Sequence, residues 1–494
     1  MFITIMNMQP ASGRTGAPPA PGPSRRRKLA ILAICSTSLF IVGVDVTAVN
    51  VALPSLERDL NAGVSGLQWT VDAYTVVMAS LLMLGGSMAD RFGRRRVFMT
   101  GLTVFTLASL LCSHAPSVGA LVASRVLQAV GASMMNPVAM SIITNTFTEP
   151  RERAQAVGVW GAVFGISMAV GPVIGGALLE IGDWRAIFLI NLPMGLAAIL
   201  LTLRFVPESR APKPRRFDPV GQVAVIALLA GLTYGIIEAP NLGWLSAPIL
   251  SVLLVAAAAL VTLLLYERRR PEALINPRFF HSIPFASATV ISVAAFAAFG
   301  GFLFLNTLYL QGARGFSPLE AGLATVPMAL MIVVAAPISG WIVGRHGPRL
   351  PLVLAGVLLA AGSGMLIGVD YDVALPWLLG AYAVFGAGFG LVNAPITNTA
   401  VSGMPRAQAG VASAIATTSR QVGQTLGVAI VGAIIASSAA TSGPGTAVLS
   451  RPAWLTLTAA GVLVLLLGVL ATSNRALASA RITAKRLNPE ALAA

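Results

Sequence analysis

The sequence predicts an all-α integral membrane protein with 14 transmembrane helices. Of its 494 residues, 56% are apolar and only 10% are charged, whereas soluble proteins carry roughly 25% charged residues. Fourteen apolar runs are each long enough to cross a bilayer core, which requires about 20 helical residues. The 49 glycines suit helices that pack closely in a membrane. This composition excludes a soluble globular enzyme and a disordered chain.

The fourteen runs follow one another between two polar tails. They lie at 29–53, 69–88, 97–114, 118–142, 154–179, 185–206, 219–238, 248–267, 287–311, 320–344, 350–369, 376–398, 410–437 and 453–474. Residues 1–28 are rich in Pro, Gly and Ser and are predicted to be a disordered cytoplasmic tail. The first run is too long for a signal peptide, and no cleavage site follows it. Residues 475–494 form a second cytoplasmic tail.

The basic residues predict the orientation in the membrane. With the N-terminus in the cytoplasm, 27 of the 33 Lys and Arg residues fall in cytoplasmic segments and 4 in external loops. By the positive-inside rule, both termini of this multi-pass protein lie on the cytoplasmic side of the cell (inner or plasma) membrane. Because topology accounts for the net charge of +15, no nucleic-acid partner is expected. Two Cys in apolar runs and three scattered His predict no metal site.

An internal repeat predicts how the helices are grouped. Residues 86–95 read GSMADRFGRR, and residues 340–349 read GWIVGRHGPR with the same spacing of Gly, Arg, Gly and Arg. Repeats of this kind are common in secondary transporters. The two copies are eight helices apart, whereas two halves of six would place them six apart. The prediction is therefore a 6 + 2 + 6 architecture, with six-helix bundles at 29–206 and 287–474 and two extra central helices within 207–286.

The first copy of this loop is a candidate gating latch. Glycines allow a tight turn between helices, an Asp can accept from an Arg or a helix N-terminus, and arginines stay among anionic headgroups. The alternative is a charge cluster that only sets the topology. The candidate loop residues are Gly86, Asp90, Arg91, Gly93, Arg94 and Arg95.

Four ionisable residues, Asp45, Asp72, Arg125 and Arg420, lie inside predicted helices. Charges there are costly and indicate function. The first three fall at similar depth in the outer half of the first bundle. Desolvation favours a neutral carboxyl and a nearby Arg favours a carboxylate, so Asp45 beside Arg125 is a candidate proton or substrate site.

Each of these assignments has a structural alternative. Asp45 and Arg125 can form a permanent bridge with no role in turnover. Asp72 can lie close enough to the surface to be solvated. Arg420, near mid-membrane, can snorkel or pair structurally.

The motifs together resemble the major facilitator superfamily, and within it the fourteen-helix drug:H+ antiporters of the multidrug efflux type. Residues 86–95 resemble the superfamily's signature loop. Residues 43–54 (GVDVTAVNVALP) and 69–74 (WTVDAY) resemble signatures of the antiporters' first two helices. Residues 121–131 (LVASRVLQAVG) resemble the helix-4 motif associated with proton coupling, with Ala129 where Gly is usual. The resemblance continues through 184–193, 308–322 and 419–423 and covers nearly the whole chain outside the tails.

The fifth run carries a pattern of small residues around a proline. Small side chains provide a bare face for close packing, and Pro172 removes a backbone hydrogen bond and bends the helix. The pattern resembles the antiporter motif of exporters, with Ser167 where Gly is usual. The alternative is ordinary Gly-rich packing. The residues are Gly158, Ser167, Gly171, Pro172, Gly175 and Gly176.

The resemblance implies a proton-coupled efflux transporter, not an enzyme, that exports amphipathic, cationic drugs or antibiotics by alternating access. The expected partners are a small-molecule substrate, protons and the lipid bilayer; a monomer is the default state. The proton gradient supplies the energy and no cofactor is expected, since the sequence contains no Gly-x4-Gly-Lys-Ser/Thr loop. The alternatives are an exporter of a dedicated metabolite (a self-made antibiotic, siderophore or lipid), a small-metabolite importer and a non-transporting membrane sensor.

Further polar residues within or beside the runs are open to two interpretations. Asn50, Gln128, Asn306 and Gln311 are candidate cavity residues, which the sequence does not separate from helix–helix hydrogen bonds. Glu238, at the end of the seventh run, is expected at a solvated loop end, with an outer vestibule as the alternative.

Overall fold

The computed structural model describes residues 24–211, 217–270, 276–402, 404–405, 408–442 and 449–487. Within these ranges the chain is helical and contains no strand. Thirteen helices are long and apolar enough to cross a membrane. The predicted run at 350–369 instead forms a shorter helix, Arg349–Gly364, because the chain then turns through Gly368, whose φ is +80°.

The helices follow the predicted runs closely, and some runs are divided. In chain order they are α1 (Arg25–Leu60), α2 (Val64–Phe92), α3 (Arg94–Ser113), α4 (Val118–Thr146), α5 (Pro150–Ile181), α6 (Arg185–Leu189), α7 (Asn191–Phe205), α8 (Pro219–Leu242), α9 (Ala247–Glu267), α10 (Ile283–Leu308), α11 (Pro318–Ala324), α12 (Val326–His346), α13 (Arg349–Gly364), α14 (Leu375–Val401), α15 (Ala409–Ser442), α16 (Arg451–Ala471) and α17 (Asn474–Leu487). A 3₁₀ helix, Pro277–His281, precedes α10, and a π-helical turn, Tyr309–Ala313, follows it.

The start of α1 corrects the predicted boundary of the N-terminal tail. The helix begins at Arg25, because the Ser24 side chain accepts from the backbone N of Arg27 and caps its first turn. Residues 25–28, predicted as tail, are therefore helical. The rest of the predicted tail, 1–23, lies outside the described residues.

The helices pack as two matching sets. In the first set, α1 packs on α4, α5 and α7, α4 packs on α2 and α3, and α3 packs on α7. In the second set, α10 packs on α14, α15 and α16, α14 packs on α12 and α13, and α13 packs on α16. The sets meet where α1 contacts α10, α2 contacts α15, and α5 contacts α11 and α12. Helix α8 packs on α2 and α15, and α9 packs on α8.

The bundle has two ends, which we name by α1. A 36-residue helix is about 54 Å long at 1.5 Å per residue, so its two ends lie on opposite faces. The tail face is the one where α1 begins, and there Lys28 pairs with Glu152 of α5 at 2.7 Å. The distal face is the one where α1 ends, and there Trp184 Nε1 donates to Asp59 at 3.1 Å.

The lateral surface is apolar. On α7, α9 and α16, for example, Leu200, Leu254 and Leu466 are 65%, 71% and 61% exposed. Soluble proteins rarely expose large contiguous apolar patches. Together with the long apolar helices, this surface identifies a multi-pass membrane protein.

Candidate functional site

Asp45 and Arg125 form a fully buried ion pair in the first helix set. Arg125 Nη1 lies 2.5 Å from Asp45 Oδ2, and each residue is 1% exposed. The other carboxylate oxygen, Oδ1, accepts from Gln128 Nε2 at 2.9 Å and from Asn191 Nδ2 at 3.0 Å. A buried ion pair needs such extra hydrogen bonds to offset the desolvation of its charges. The predicted proximity of Asp45 and Arg125 is present in the structure.

The guanidinium of Arg125 is held from three further directions. Its Nε donates to the Thr70 carbonyl at 3.1 Å, and its Nη1 also donates to Gln128 Oε1 at 2.7 Å. The ring of Tyr74 lies 4.1 Å from the guanidinium carbon, within the range of a cation–π contact. Helix α2 therefore contributes to holding the cation that pairs with Asp45.

Ser109 on α3 organises the amides around the carboxylate. Its hydroxyl accepts from Asn191 Nδ2 at 3.0 Å and from Gln128 Nε2 at 3.3 Å, and it donates to the Phe188 carbonyl at 2.9 Å. Ser109, Asn191 and Tyr74 were not predicted from the sequence as site residues. Asn191 and Tyr74 lie in family-like segments, which was a usable signal, whereas Ser109 carries none.

Asp72 lies apart from this network, at a contact between the two helix sets. The exposed fraction of Asp72 is 0%, so the alternative that Asp72 is solvated at the surface is wrong. Helix α2 begins two turns before Asp72, and this part of α2 packs on α15. Oδ1 accepts from Thr75 Oγ1 at 3.4 Å, and Oδ2 has no hydrogen-bond partner among the described residues. Thr425 on α15 donates to Thr75 at 2.8 Å.

Arg420 lies in the second helix set. Its Nη2 donates to Thr397 Oγ1 at 2.6 Å and to the Asn393 carbonyl at 3.4 Å. It forms no ion pair with an acidic side chain in the described ranges. The four predicted ionisable residues thus occupy three separate places, and only Asp45 and Arg125 meet.

The small residues of the α5 motif pack closely on neighbouring helices, except for one glycine that has no close neighbour. A Cβ on Gly176 would lie 2.5 Å from the Pro318 carbonyl oxygen of α11, and one on Gly175 would lie 3.0 Å from the backbone of Ala48. Gly171 and Ser167 likewise pack closely on α1. In contrast, a Cβ on Gly158 would meet nothing within 4 Å. Close packing is therefore correct for the distal part of the motif and wrong for Gly158, which faces open space.

The contact of Gly176 is one of several that join the helix sets. On α11, Gly322 lies against the backbone of Pro172. Gln311 Nε2 donates to the Val51 carbonyl at 2.8 Å, and Gln68 Nε2 donates to the Ala429 carbonyl at 2.9 Å. Among the described residues, the hydrogen bonds between the sets lie in the middle and distal parts of the bundle, and none lies at the tail face.

The loop between α2 and α3 turns at a single glycine. Gly93 has φ +112°, which disfavours any side chain. Across it Arg94 Nη2 donates to Asp90 Oδ1 at 3.1 Å, the pairing that the sequence allowed. Glu208, which sequence reasoning missed, accepts from the backbone N of Arg95 at 3.1 Å and ties the loop to the chain after α7. In the second copy of the loop, Gly347 also has positive φ, +79°.

The remaining polar candidates make hydrogen bonds within or between helices. Asn50 Nδ2 donates to the Val46 carbonyl of its own helix at 2.9 Å, and Asn306 accepts from the Tyr382 hydroxyl. Gln128 belongs to the Asp45 network. In the part of the chain that the structure describes, no group of three or more His, Cys, Asp or Glu side chains is placed to hold a metal ion.

Glu238 is wrongly predicted as a solvated loop end. Helix α8 continues to Leu242, and the half-buried Glu238 side chain faces α2. Its Oε1 accepts from Ser65 Oγ and from Trp69 Nε1, both at 2.7 Å. This carboxylate fastens a central helix to the first set.

Comparison with known proteins finds a matching family model and similar sequences. The family model for the Major Facilitator Superfamily matches residues 35–428. The multidrug resistance protein Stp of Mycobacterium tuberculosis is 35% identical over 83% of this chain and 76% of its own. The puromycin resistance protein pur8 of Streptomyces alboniger is 38% identical over 84% and 82%. The tetracenomycin C resistance and export protein of Streptomyces glaucescens is 35% identical over 85% and 78%.

Among solved structures, a mutant of the peptide transporter POT in complex with sulfate has a similar fold. The TM-score is 0.64 at 16% sequence identity, and the match covers 92% of this chain and 95% of that one.

Proposed function

The chain belongs to the major facilitator superfamily, and on that basis we propose that it exports amphipathic, cationic drugs or antibiotics in exchange for protons. The observation that carries the proton-coupling part is the buried network in which Asp45 accepts from Arg125, Gln128 and Asn191. Relatives named for multidrug resistance and for drug efflux support the export of drugs.

The proposed architecture is two six-helix halves separated by α8 and α9. The matching packing of the two helix sets supports this arrangement. So does the pair of positive-φ glycines, Gly93 and Gly347, at equivalent loops. One half comprises the helices from α1 to α7 and the other those from α10 to α16, with α6 joined to α7 and α11 joined to α12 as single spans.

The proposed orientation places the tail face, with both termini, in the cytoplasm. In this orientation the distal contacts between the halves would close the external side, which supports a proposed state closed to the outside. Alternating access would open this side by separating α5 from α11 and α2 from α15, and would close the tail face.

The proposed driving force is the proton gradient, with no bound cofactor, acting on a monomer. Protonation of Asp45 removes the charge that Arg125 pairs with, so proton uptake and rearrangement of the network are linked. Asp72, buried at the moving contact with α15, is a second proton carrier. The membrane potential supplies about 2.3 kcal/mol per charge per 100 mV. For a substrate without net charge, one proton therefore supports a concentration gradient of several tens-fold, since about 1.4 kcal/mol corresponds to tenfold. Exchange of one proton for one monovalent cation moves no net charge, and the pH difference alone drives it.

The decisive experiment follows substrate-induced proton movement in inverted membrane vesicles. A proton gradient is imposed, a lipophilic cation is added, and a pH-sensitive dye reports the collapse of the gradient. We expect collapse with the wild type and none with Asp45→Asn. The matched control is Asp183→Asn, at an exposed ion pair with Arg185, which is expected to behave as wild type.

Two outcomes would contradict the proposal. A response that survives in Asp45→Asn would move proton coupling to Asp72 or elsewhere. No response of the wild type to a panel of cations would exclude cationic drug:H+ antiport.

A dedicated exporter is the second candidate function. It is favoured by the relatives named for resistance to a single antibiotic, methylenomycin A or puromycin. The same vesicle assay distinguishes it, because a dedicated exporter would respond to one compound and to none of the lipophilic cations.

A further inference from the structure

The C-terminal helix α17 is a docked element of the tail face. It begins at Asn474, three residues after α16 ends at Ala471. Its buried side chains, Ala476, Ala480 and Thr483, form one face that packs on α10 and the preceding 3₁₀ helix. Ser479 Oγ accepts from the backbone N of Ile283 at 3.0 Å, which ties α17 to the first residue of α10.

The charged side chains of α17 are all basic. Four of its 14 residues are Lys or Arg and none is acidic. All four are exposed, as is Arg278 on the adjoining 3₁₀ helix. None of the five forms an ion pair with another described residue. The four basic residues of α17 are Arg475, Arg481, Lys485 and Arg486.

The same surface exposes apolar side chains. Leu477 and Ile482 on α17 are 43% and 53% exposed, and Phe280 on the 3₁₀ helix is 43% exposed. Because α17 starts three residues after an apolar helix long enough to span a membrane, we expect these side chains at the depth where headgroups meet acyl chains. A short helix with basic and apolar exposed residues at that depth is suited to lie in the interface.

We propose that α17, with Arg278, binds anionic phospholipid headgroups. The four unpaired cations of α17 supply the charge complementarity, and Leu477 and Ile482 supply the apolar contact with the acyl chains. Through Ser479 and Ile283, the lipid-bound helix holds the beginning of α10. This inference stands on α17 alone and does not depend on which compound is transported.

The test measures which lipid lies beside α17 in the full-length protein. Ile482→Cys is labelled with bimane, and the two native cysteines, Cys35 and Cys112, are buried. The protein is reconstituted in phosphatidylcholine vesicles that contain nitroxide-labelled phosphatidylglycerol or, in parallel, nitroxide-labelled phosphatidylcholine. We expect stronger quenching by phosphatidylglycerol, and a loss of this preference of about fivefold for each charge removed, from roughly 1 kcal/mol per basic residue.

Two variants and a second labelling site keep the test decisive. Replacing Arg278 and all four basic residues of α17 with Gln should abolish the preference, whereas replacing Arg278 and the three arginines of α17 with Lys should retain it. A label at Leu245, which is 85% exposed between α8 and α9 at the distal face, should be quenched equally by both lipids. Equal quenching by the two lipids at position 482 would overturn the proposal and would favour a soluble acidic partner for the basic surface. A preference for phosphatidylglycerol that persists in the Gln variant would also overturn it.

Discussion

The buried pair of Asp45 and Arg125 predicts an asymmetric double-mutant cycle for stability. Asp45→Asn leaves the guanidinium of Arg125, 1% exposed, without its counter-ion. Breaking a buried pair by removing one partner costs about 3–5 kcal/mol. The new amide also brings N–H donors toward Gln128 and Asn191, both of which donate to Asp45 Oδ1. At most one Asn oxygen can then serve the donors that two carboxylate oxygens served before.

The double variant Asp45→Asn/Arg125→Gln is expected to recover most of this loss. It removes both charges, so neither partner is left as an unpaired buried charge, which is the main cost of the single variant. The amides of Asn and Gln can also hydrogen-bond to each other. The control Asp183→Asn breaks an ion pair to Arg185 of 3.1 Å that is 51% and 36% exposed. An exposed pair contributes about 0–1 kcal/mol.

Thermal unfolding of the purified proteins in detergent measures the cycle. At about 1 °C per kcal/mol for a chain of this length, from an unfolding entropy of about 2.1 cal/mol/K per residue, the single variant should unfold about 3–5 °C below the wild type. The double variant and the control should stay within about 1 °C of it. If Asp45→Asn is as stable as the wild type, or the double variant is as unstable as the single, the two charges are not coupled and the reasoning is refuted.

Two further variants test contacts between parts of the bundle. Gly176→Leu should prevent α5 from closing on Pro318, where even a Cβ would lie 2.5 Å away. It should therefore raise the labelling of a cysteine introduced at the distal contact between α5 and α11. The control Gly158→Leu enters open space and should leave this labelling unchanged. Glu238→Leu should leave the Trp69 indole without its hydrogen-bond acceptor, at a cost of about 1–3 kcal/mol. The weaker contact between α8 and α2 should appear as faster hydrogen exchange of the α8 backbone amides. Unchanged exchange would mean that apolar packing alone holds α8 against α2.

The membrane fold could be predicted from the sequence because hydropathy is a local property. Each apolar run had to become a helix, since only a helix satisfies its own backbone in lipid. The boundaries were less predictable. Ser24 capped α1 four residues earlier than expected, and α13 ended early beside a positive-φ glycine.

The site was predicted in part, and the reason lies in geometry. Position along a helix sets depth in the membrane, so Asp45, Asp72 and Arg125 could be placed at similar depth. Depth does not say toward which neighbour a side chain points. Asp72 proved to bond to Thr75, which in turn accepts from Thr425 of α15, while Arg125 points to Asp45.

The sequence by itself determined the helices, their glycine-rich contacts and the rarity of charges among them, because these follow from residue type and local spacing. The tertiary structure alone decided which polar groups meet. Gln128 and Asn191 reach Asp45 from two helices, Ser109 accepts from both of these amides from a third helix, and Glu238 reaches α2 from a central helix. These contacts between polar side chains depend on how whole helices pack and rotate, which no local sequence pattern encodes. A buried polar group is stable only where that packing supplies its hydrogen-bond partners.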